Sequence, residues 1–399
     1  MFIKRRQFIQ AGSLATASLM MPRFLQAFEK NQLVPPGNKV LVILQLSGGN
    51  DGLNTIIPVN NDVYYKSRPK LGIVKKDALL LNDETGLHPS LPFLKTLHDD
   101  GSLGVLNNVG YPNPDRSHFR SMDIWHSASN SNEYLHTGWI GRYLDAQCSG
   151  CAQPTHALEI DDVLSMALKG EQTKALAAKD PKRLYNSAND KFFQSLATTY
   201  TDLPGEQPVD YLYKTLSETI SSADYIYRQS RLRPSSANYP ATEIGKSFQT
   251  IASLILSDIN TKVYYLSLGS FDTHVGQDGQ QKRLFTQLNN AVEAFVKDLK
   301  QNNRFNDVML MTFSEFGRRV AQNASGGTDH GTANNMFFMS GGLQQKGLLN
   351  ALPDLTTLEN GDLRYTVDFK DVYATLLKKW LGADDEMILG RKAHYLRFI

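Results

Sequence analysis

The sequence predicts an α/β protein built on a mostly parallel sheet with helices on both faces and a helical insertion. Three observations lead there. Apolar runs of strand length, such as Lys39 to Leu46, empty into polar glycine-bearing turns, as buried parallel strands do. Stretches of helical period lie between the runs, the clearest being Leu284, Leu288, Ala291, Phe295 and Leu299 on one face. Strands alternating with helices favour a parallel sheet covered on both sides.

Taken from the N-terminus, the first segment stands apart from that fold. Residues 1–27 read as a twin-arginine signal peptide: Arg5, Arg6 and Phe8 precede the uncharged run Ala11 to Met21, then Pro22 and a candidate cleavage stretch Leu25 to Ala27. Lys4 stands where Ser or Thr is more usual, and the apolar run is too short to remain as a membrane span. The alternative, a packed amphipathic helix, is disfavoured because Gly12, Ser13, Thr16 and Ser18 break any apolar stripe. Export to the periplasm or the cell exterior by the twin-arginine translocase is therefore expected. That route carries folded chains, so a cofactor can be loaded first.

The α/β domain is expected over residues 39–399. Strands are predicted at Lys39–Leu46, Leu103–Val109, Val263–Leu268, Asp307–Phe313 and Asn335–Ser340. Polar helices around Tyr211 to Arg231 and Ile244 to Leu256, separated by the Pro/Ser/Asn segment Arg233 to Pro240, mark about 161–258 as the inserted helical subdomain or lid. Leu363 to Gly382 reads as a strand entering a final packed helix. At 41 % hydrophobic and 21 % charged the chain has the composition of a globular core. A net charge of +2 without a Lys/Arg block gives no footprint for nucleic acid, and no later stretch is apolar enough for an integral membrane segment. Cys148 and Cys151 have no second C-x-x-C, and His136 and His156 lack finger-like spacing, so the pair reads as a local disulfide or a reduced surface pair.

Polar clusters sit where strands should end, which is where open α/β sheets bind ligands. Asp51 follows the first run in a Gly-rich turn. Asp272 and His274 follow Val263–Leu268, Glu315 and Arg318 follow Asp307–Phe313, and Asp329 and His330 precede Asn335. Carboxylates and imidazoles brought to one edge suit a divalent metal, zinc or manganese ahead of magnesium or calcium, which prefer oxygen alone. Taken singly, each cluster is as well explained as a turn, a capped loop or, for Glu315, a surface pair with Arg318 or Arg319. Asn113 to Phe119 carries the Pro, Asp and Ser of a helix start. Ser117 is there a candidate nucleophile with Arg116 to clamp an anion, and otherwise an ordinary N-cap; Thr55 is a weaker candidate, and His118 reads as a packed or surface imidazole.

Several segments together resemble the domain of unknown function 1501 family: SGGNDGLN from Ser47, RSHF from Arg116, SFDTH from Ser270, TFSEFGRR from Thr312, GTDHG from Gly327 and the stretch Asp362 to Gly382. That family is similar to the alkaline phosphatase and sulfatase superfamily, so the resemblance implies a three-layer sandwich with a one- or two-metal site for phosphoryl or sulfuryl transfer. Position by position it implies Asp51, Asp272, His274, Glu315 and His330 as metal ligands and Ser117 as the nucleophile region. The departures are specific. The middle pair is closely spaced and Glu315 is followed by Phe316, which puts a second metal in doubt; no Cys-x-Pro-x-Arg or Ser-x-Pro-x-Arg encodes a formylglycine. Two functions are expected to compete. One is a hydrolase of small anionic or polysaccharide-derived phosphate or sulfate esters, with Arg116 or Arg318 stabilising the transition state. The other is a non-catalytic periplasmic binding or assembly protein on the same scaffold.

Overall fold

The computed structural model describes residues 38–147, 156–173, 175–191 and 208–399. The leader and the Cys148/Cys151 pair lie outside the described residues.

Twelve strands follow in chain order among the described residues: β1 (Val40–Leu46), β2 (Ile56–Pro58), β3 (Leu79–Leu80), β4 (Thr85–Leu87), β5 (Leu103–Gly110), β6 (Ala157–Glu159), β7 (Leu176–Ala177), β8 (Val263–Leu268), β9 (Val308–Phe313), β10 (Asn334–Met339), β11 (Gly347–Leu348) and β12 (Val367–Asp368). β2, β4 and β3 make a small antiparallel sheet. The main sheet has the order β11-β5-β10-β9-β1-β8-β6-β7, with β12 also on β5. Its pairings are parallel throughout except that β10 runs against β9 and β5. The five predicted strands are thus present as β1, β5, β8, β9 and β10. The short β6 and β7 are additions, and β7 falls inside the stretch expected to be all helix.

β1 explains the layering. Every one of its residues is buried, and with a side-chain period of two they divide between two cores. Val40, Val42, Leu44 and Leu46 join the cluster built with helices Pro92–Asp99, Glu243–Leu256 and Gln277–Gln301. Leu41 and Ile43 join the opposite cluster, built with His118–Ser127, Trp139–Gln147 and Phe369–Thr375. There Trp125 stacks between Phe313 at 5.2 Å and Phe369 at 4.3 Å, pinning the His118 helix to the end of β9. No helix among the described residues is long and apolar enough to cross a membrane.

Two buried imidazoles make this packing sensitive to acid. Burial pulls His88 and His126 from 6.5 down to about 4, against the weaker opposing pull of Asp51 and Glu315 respectively. The unfolded chain therefore binds more protons than the folded one between these values, and stability is lost as pH falls from about 6.5 towards 4, by up to roughly 3 kcal/mol per histidine. The thermal midpoint should drop markedly between pH 7.5 and 4.5, with a shallower drop in His126→Gln. A pH-independent midpoint over that range would refute the assignment.

Candidate metal centre

The carboxyl ends of β1, β8 and β9 and the approach to β10 meet at one edge of the sheet. Gly48 and Gly49 turn the chain out of β1 at φ +117° and +81°. A Cβ on Gly48 would stand 2.4 Å from the Asp272 backbone nitrogen, so only glycine lets this turn press against the loop after β8. Arg318 fixes the contact. Its buried guanidinium donates to Gly49 O at 2.6 Å, Thr328 O at 2.9 Å, Phe271 O at 2.9 Å and Asp272 Oδ1 at 2.7 Å, and also to Gly48 O.

Asp272 is the point of convergence. Its Oδ1 lies 3.1 Å from His274 Nε2 and 3.2 Å from His330 Nε2, and its Oδ2 lies 3.5 Å from His118 Nε2. The Nε2 atoms of His274 and His330 are 2.9 Å apart. Each ring is held from behind through Nδ1: His118 by Glu315 Oε1 at 3.0 Å, His274 by Asp329 Oδ1 at 3.2 Å and His330 by the Arg116 carbonyl at 2.8 Å. A carbonyl or an ionised carboxylate only accepts, so each Nδ1 donates, and a ring in its neutral form turns an Nε2 lone pair towards Asp272. Lone pairs this close repel unless a cation lies among them. Ligand atoms 2.9–3.2 Å apart are also spaced as donors sharing one ion at about 2.0–2.2 Å would be. His118, Asp272 and His330 each offer a ligand atom within 4.8 Å of the others, and His274 stands against Asp272 and His330.

Electrostatics fits that arrangement. Partial burial works to raise the Asp272 carboxyl, but the hydrogen bond from Arg318 and the neighbouring His330 and His274 imidazoles outweigh it and hold it at about 2. The Glu315 hydrogen bond raises His118 despite burial. Hydrogen bonds from Asn323 and His274 lower Asp329. Asp272 and Asp329 thus stay ionised at neutral pH.

Other expected site residues are placed differently. Asp51 is buried away from the cluster. Its carboxylate caps the Gly52–Thr55 turn through Leu53 N and Asn54 N, pairs with Arg68 at 2.5 Å and 3.0 Å, and accepts from Gln277. Both oxygens are thereby engaged, which leaves none for an ion. Glu315 and Asp329 support imidazoles rather than facing Asp272. Arg318 is a clamp on backbone carbonyls, not a free anion receptor. Arg116 is turned to the buried Asp362, and its carbonyl orients His330. Thr55 Oγ1 is buried between Asp51 O and Asn50 Nδ2. Ser117 does occupy the N-cap of the His118–Ser127 helix, yet it makes no side-chain capping bond and is exposed beside His118. His118 is the candidate ligand that sequence reasoning passed over. Its only sequence signal was its place beside Ser117 in Arg116 to Phe119.

The sheet and this edge define an α/β protein with a histidine- and carboxylate-rich centre suited to a cation. Residues 101–394 match the model of the family described as "Protein of unknown function (DUF1501)", and the chain belongs to that family. No curated protein matches its sequence. Among solved structures it is similar to the phosphonate monoester hydrolase SpPMH from Silicibacter pomeroyi, at 8 % identity and TM-score 0.40 over 89 % of this chain and 77 % of that one. It is also similar to the PsFucS1 sulfatase from Pseudoalteromonas sp., at 13 % identity and TM-score 0.37 over 96 % and 78 %. A protein in the alkaline phosphatase superfamily from Vibrio parahaemolyticus overlays at 11 % identity and TM-score 0.36 over 89 % and 69 %. Likeness this loose assigns no chemistry to the chain.

The placement of Asp51 carries its own consequence. Asp51→Ala would leave the buried Arg68 charge without its carboxylate, a loss of roughly 3 kcal/mol or more. Urea unfolding should show that loss. Wild-type stability in the variant would contradict the structural role.

Proposed function

We propose that this chain is an exported, metal-dependent hydrolase-like protein acting on phosphate or sulfate esters. His118, Asp272, His274 and His330 would hold the ion, and a nitrogen-rich set of this kind favours zinc or manganese over magnesium or calcium. The observation that carries the reading is the threefold orientation of imidazoles, each fixed at Nδ1 and each presenting Nε2 to one carboxylate. The twin-arginine pattern in residues 1–27 supports loading before passage through the translocase and work in the periplasm or outside the cell.

When bound, a divalent ion supplies Lewis-acid polarisation of an ester oxygen and favours deprotonation of an attacking hydroxyl. The chain's own groups supply position. Asp329, Glu315 and the Arg116 carbonyl lock the three rings, while Arg318 fixes Asp272 and keeps it ionised. Ser117 offers an exposed hydroxyl without a capping bond, one residue from His118, at a helix N-terminus whose first-turn N–H groups favour an anionic group. It is the candidate nucleophile, with water as the alternative.

One observation favours the second reading, a non-catalytic binding or assembly protein. Arg116 and Arg318, the arginines expected to stabilise an anion, are both engaged in ion pairs within the protein. Native protein from the periplasm should contain stoichiometric zinc or manganese and turn over at least one member of a phosphomonoester, phosphodiester and sulfate-ester panel. Metal without turnover would favour the second reading, and the absence of stoichiometric metal would defeat the first.

Orientation predicts a graded response to mutation. Removal of a ligand ring in His330→Ala should abolish stoichiometric metal. Asp329→Asn, which weakens only the support of His274, should lower metal affinity about 10–100-fold with the fold retained. Competition with a chromophoric chelator measures both. Equal, unchanged affinities would mean that the rings do not bind the ion.

A further inference from the structure

We infer that the cleft beside this centre receives a hydroxyl-rich organic group, a sugar or polyol, which on the ester reading above is the alcohol part of the substrate. The cleft exists because β6 is short. β6 pairs with β8 only as far as Glu159 opposite Tyr265, whereas β8 continues to Leu268. In a parallel ladder, alternate residues direct their N–H and C=O groups to opposite neighbours. Ile160 N–H donates to Tyr265 O at 2.8 Å on the β6 side, and Ser47 N–H donates to Leu268 O at 2.9 Å on the β1 side. Ser267 shares the parity of Tyr265, so its backbone groups face past the end of β6. Ser267 is also the one exposed position in an otherwise buried strand.

The space left there measures about 520 Å³, within the range of small-molecule sites. Its lining combines the apolar Ile160, Ile244 and Leu268 with hydroxyl and amide groups from Ser247, Ser270 and Gln287. Asp161 and Glu243 are balanced in its lining by Lys179 and Arg283, and Lys179 pairs with Glu243 at 3.2 Å. A cleft with cancelling charges and both apolar and hydrogen-bonding groups in its lining suits a neutral polyhydroxy compound rather than a second anion. Ser270, at φ +77°, joins the cleft to Asp272 two residues later, a Cα separation of at most about 7 Å. Gln280 Nε2 holds this turn through Ser270 O at 2.5 Å. The cleft and the centre are therefore neighbouring compartments of one edge.

Calorimetry on the metal-loaded mature protein with maltose, maltose 1-phosphate and inorganic phosphate tests the assignment. Maltose should bind by itself, and its phosphate should bind at least tenfold tighter than inorganic phosphate. Gln287→Trp, which fills the cleft from the Gln277–Gln301 helix, should remove maltose binding and leave inorganic phosphate unchanged. Ser247→Trp from the facing helix should act alike, with thermal midpoints of both variants near wild type to show that they fold. Sugar binding without hydrolysis of any ester would leave the cleft standing and remove the ester reading. A sugar phosphate that binds no better than inorganic phosphate, or tryptophan variants that bind maltose as wild type does, would overturn the cleft assignment.

Discussion

The Arg318 guanidinium is buried, and the segments that bring Asp272, His274 and His330 to the candidate centre are tied to it, together with the turn after β1. It takes the carbonyls of Gly48, Gly49, Phe271 and Thr328, and it forms an ion pair with Asp272. A buried cation is tolerable only when its donors are met and an anion stands close. Both conditions are fulfilled by chain ends that arrive from β1, β8 and the approach to β10. The requirement runs in both directions. The guanidinium needs those carbonyls, and the loops take up the one arrangement in which all of them point at it. Asp272 then emerges from this knot with Oδ1 shared among Arg318, His274 and His330 and Oδ2 turned to His118.

A second buried arginine does comparable work one layer away. Arg68 spans Asp51, Asn54 and the carbonyls of Arg319 and Val320. It thereby joins the turn after β1 to the loop after β9. Residues 318–320 are thus held by guanidinium hydrogen bonds from Arg68 and by the bonds that Arg318 itself makes, while Val320 also packs among Leu53, Ile57 and Tyr64. Polar anchoring suits this edge, because the parallel strands end there and leave backbone groups that a purely apolar core would strand without partners.

This division explains what the sequence shows and what it hides. β1, β5, β8, β9 and β10 are legible because each is a run of residues buried on both faces, and burial leaves its mark as uninterrupted apolar residues. β6 and β7, at three and two residues, are too short to carry such a mark. The common edge of Asp272, His274 and His330 is legible too, since strand ends set it. The roles of the acids are not. Asp51 and Asp272 both follow strands in tight turns, and what separates them is which arginine reaches which, a matter of contacts across 17 residues in one case and 46 in the other. His118 presents its Nε2 to Asp272 with its ring held by Glu315, 197 residues away. No local pattern encodes that orientation.

Charge balance supplies the last step. Glu315, Asp272 and Asp329 face the three imidazoles, and Arg318 is the guanidinium paired with that set. With neutral imidazoles, three carboxylates against one guanidinium leave two negative charges. Glu315 is fully buried and its Oε2 has no hydrogen-bond partner among the described residues, so its charge is held out of solvent, whereas Asp272 and Asp329 are about half exposed. Positive charge on the Nε2 side relieves the excess, and only two sources fit the geometry, protons on the rings or a single divalent ion. The two compete for the same lone pairs. The Glu315 hydrogen bond that strengthens His118 as a ligand also raises its affinity for a proton. An ion held this way would compete with protons and be displaced in acid, a property that would follow from how the rings are supported and not from which metal occupied them.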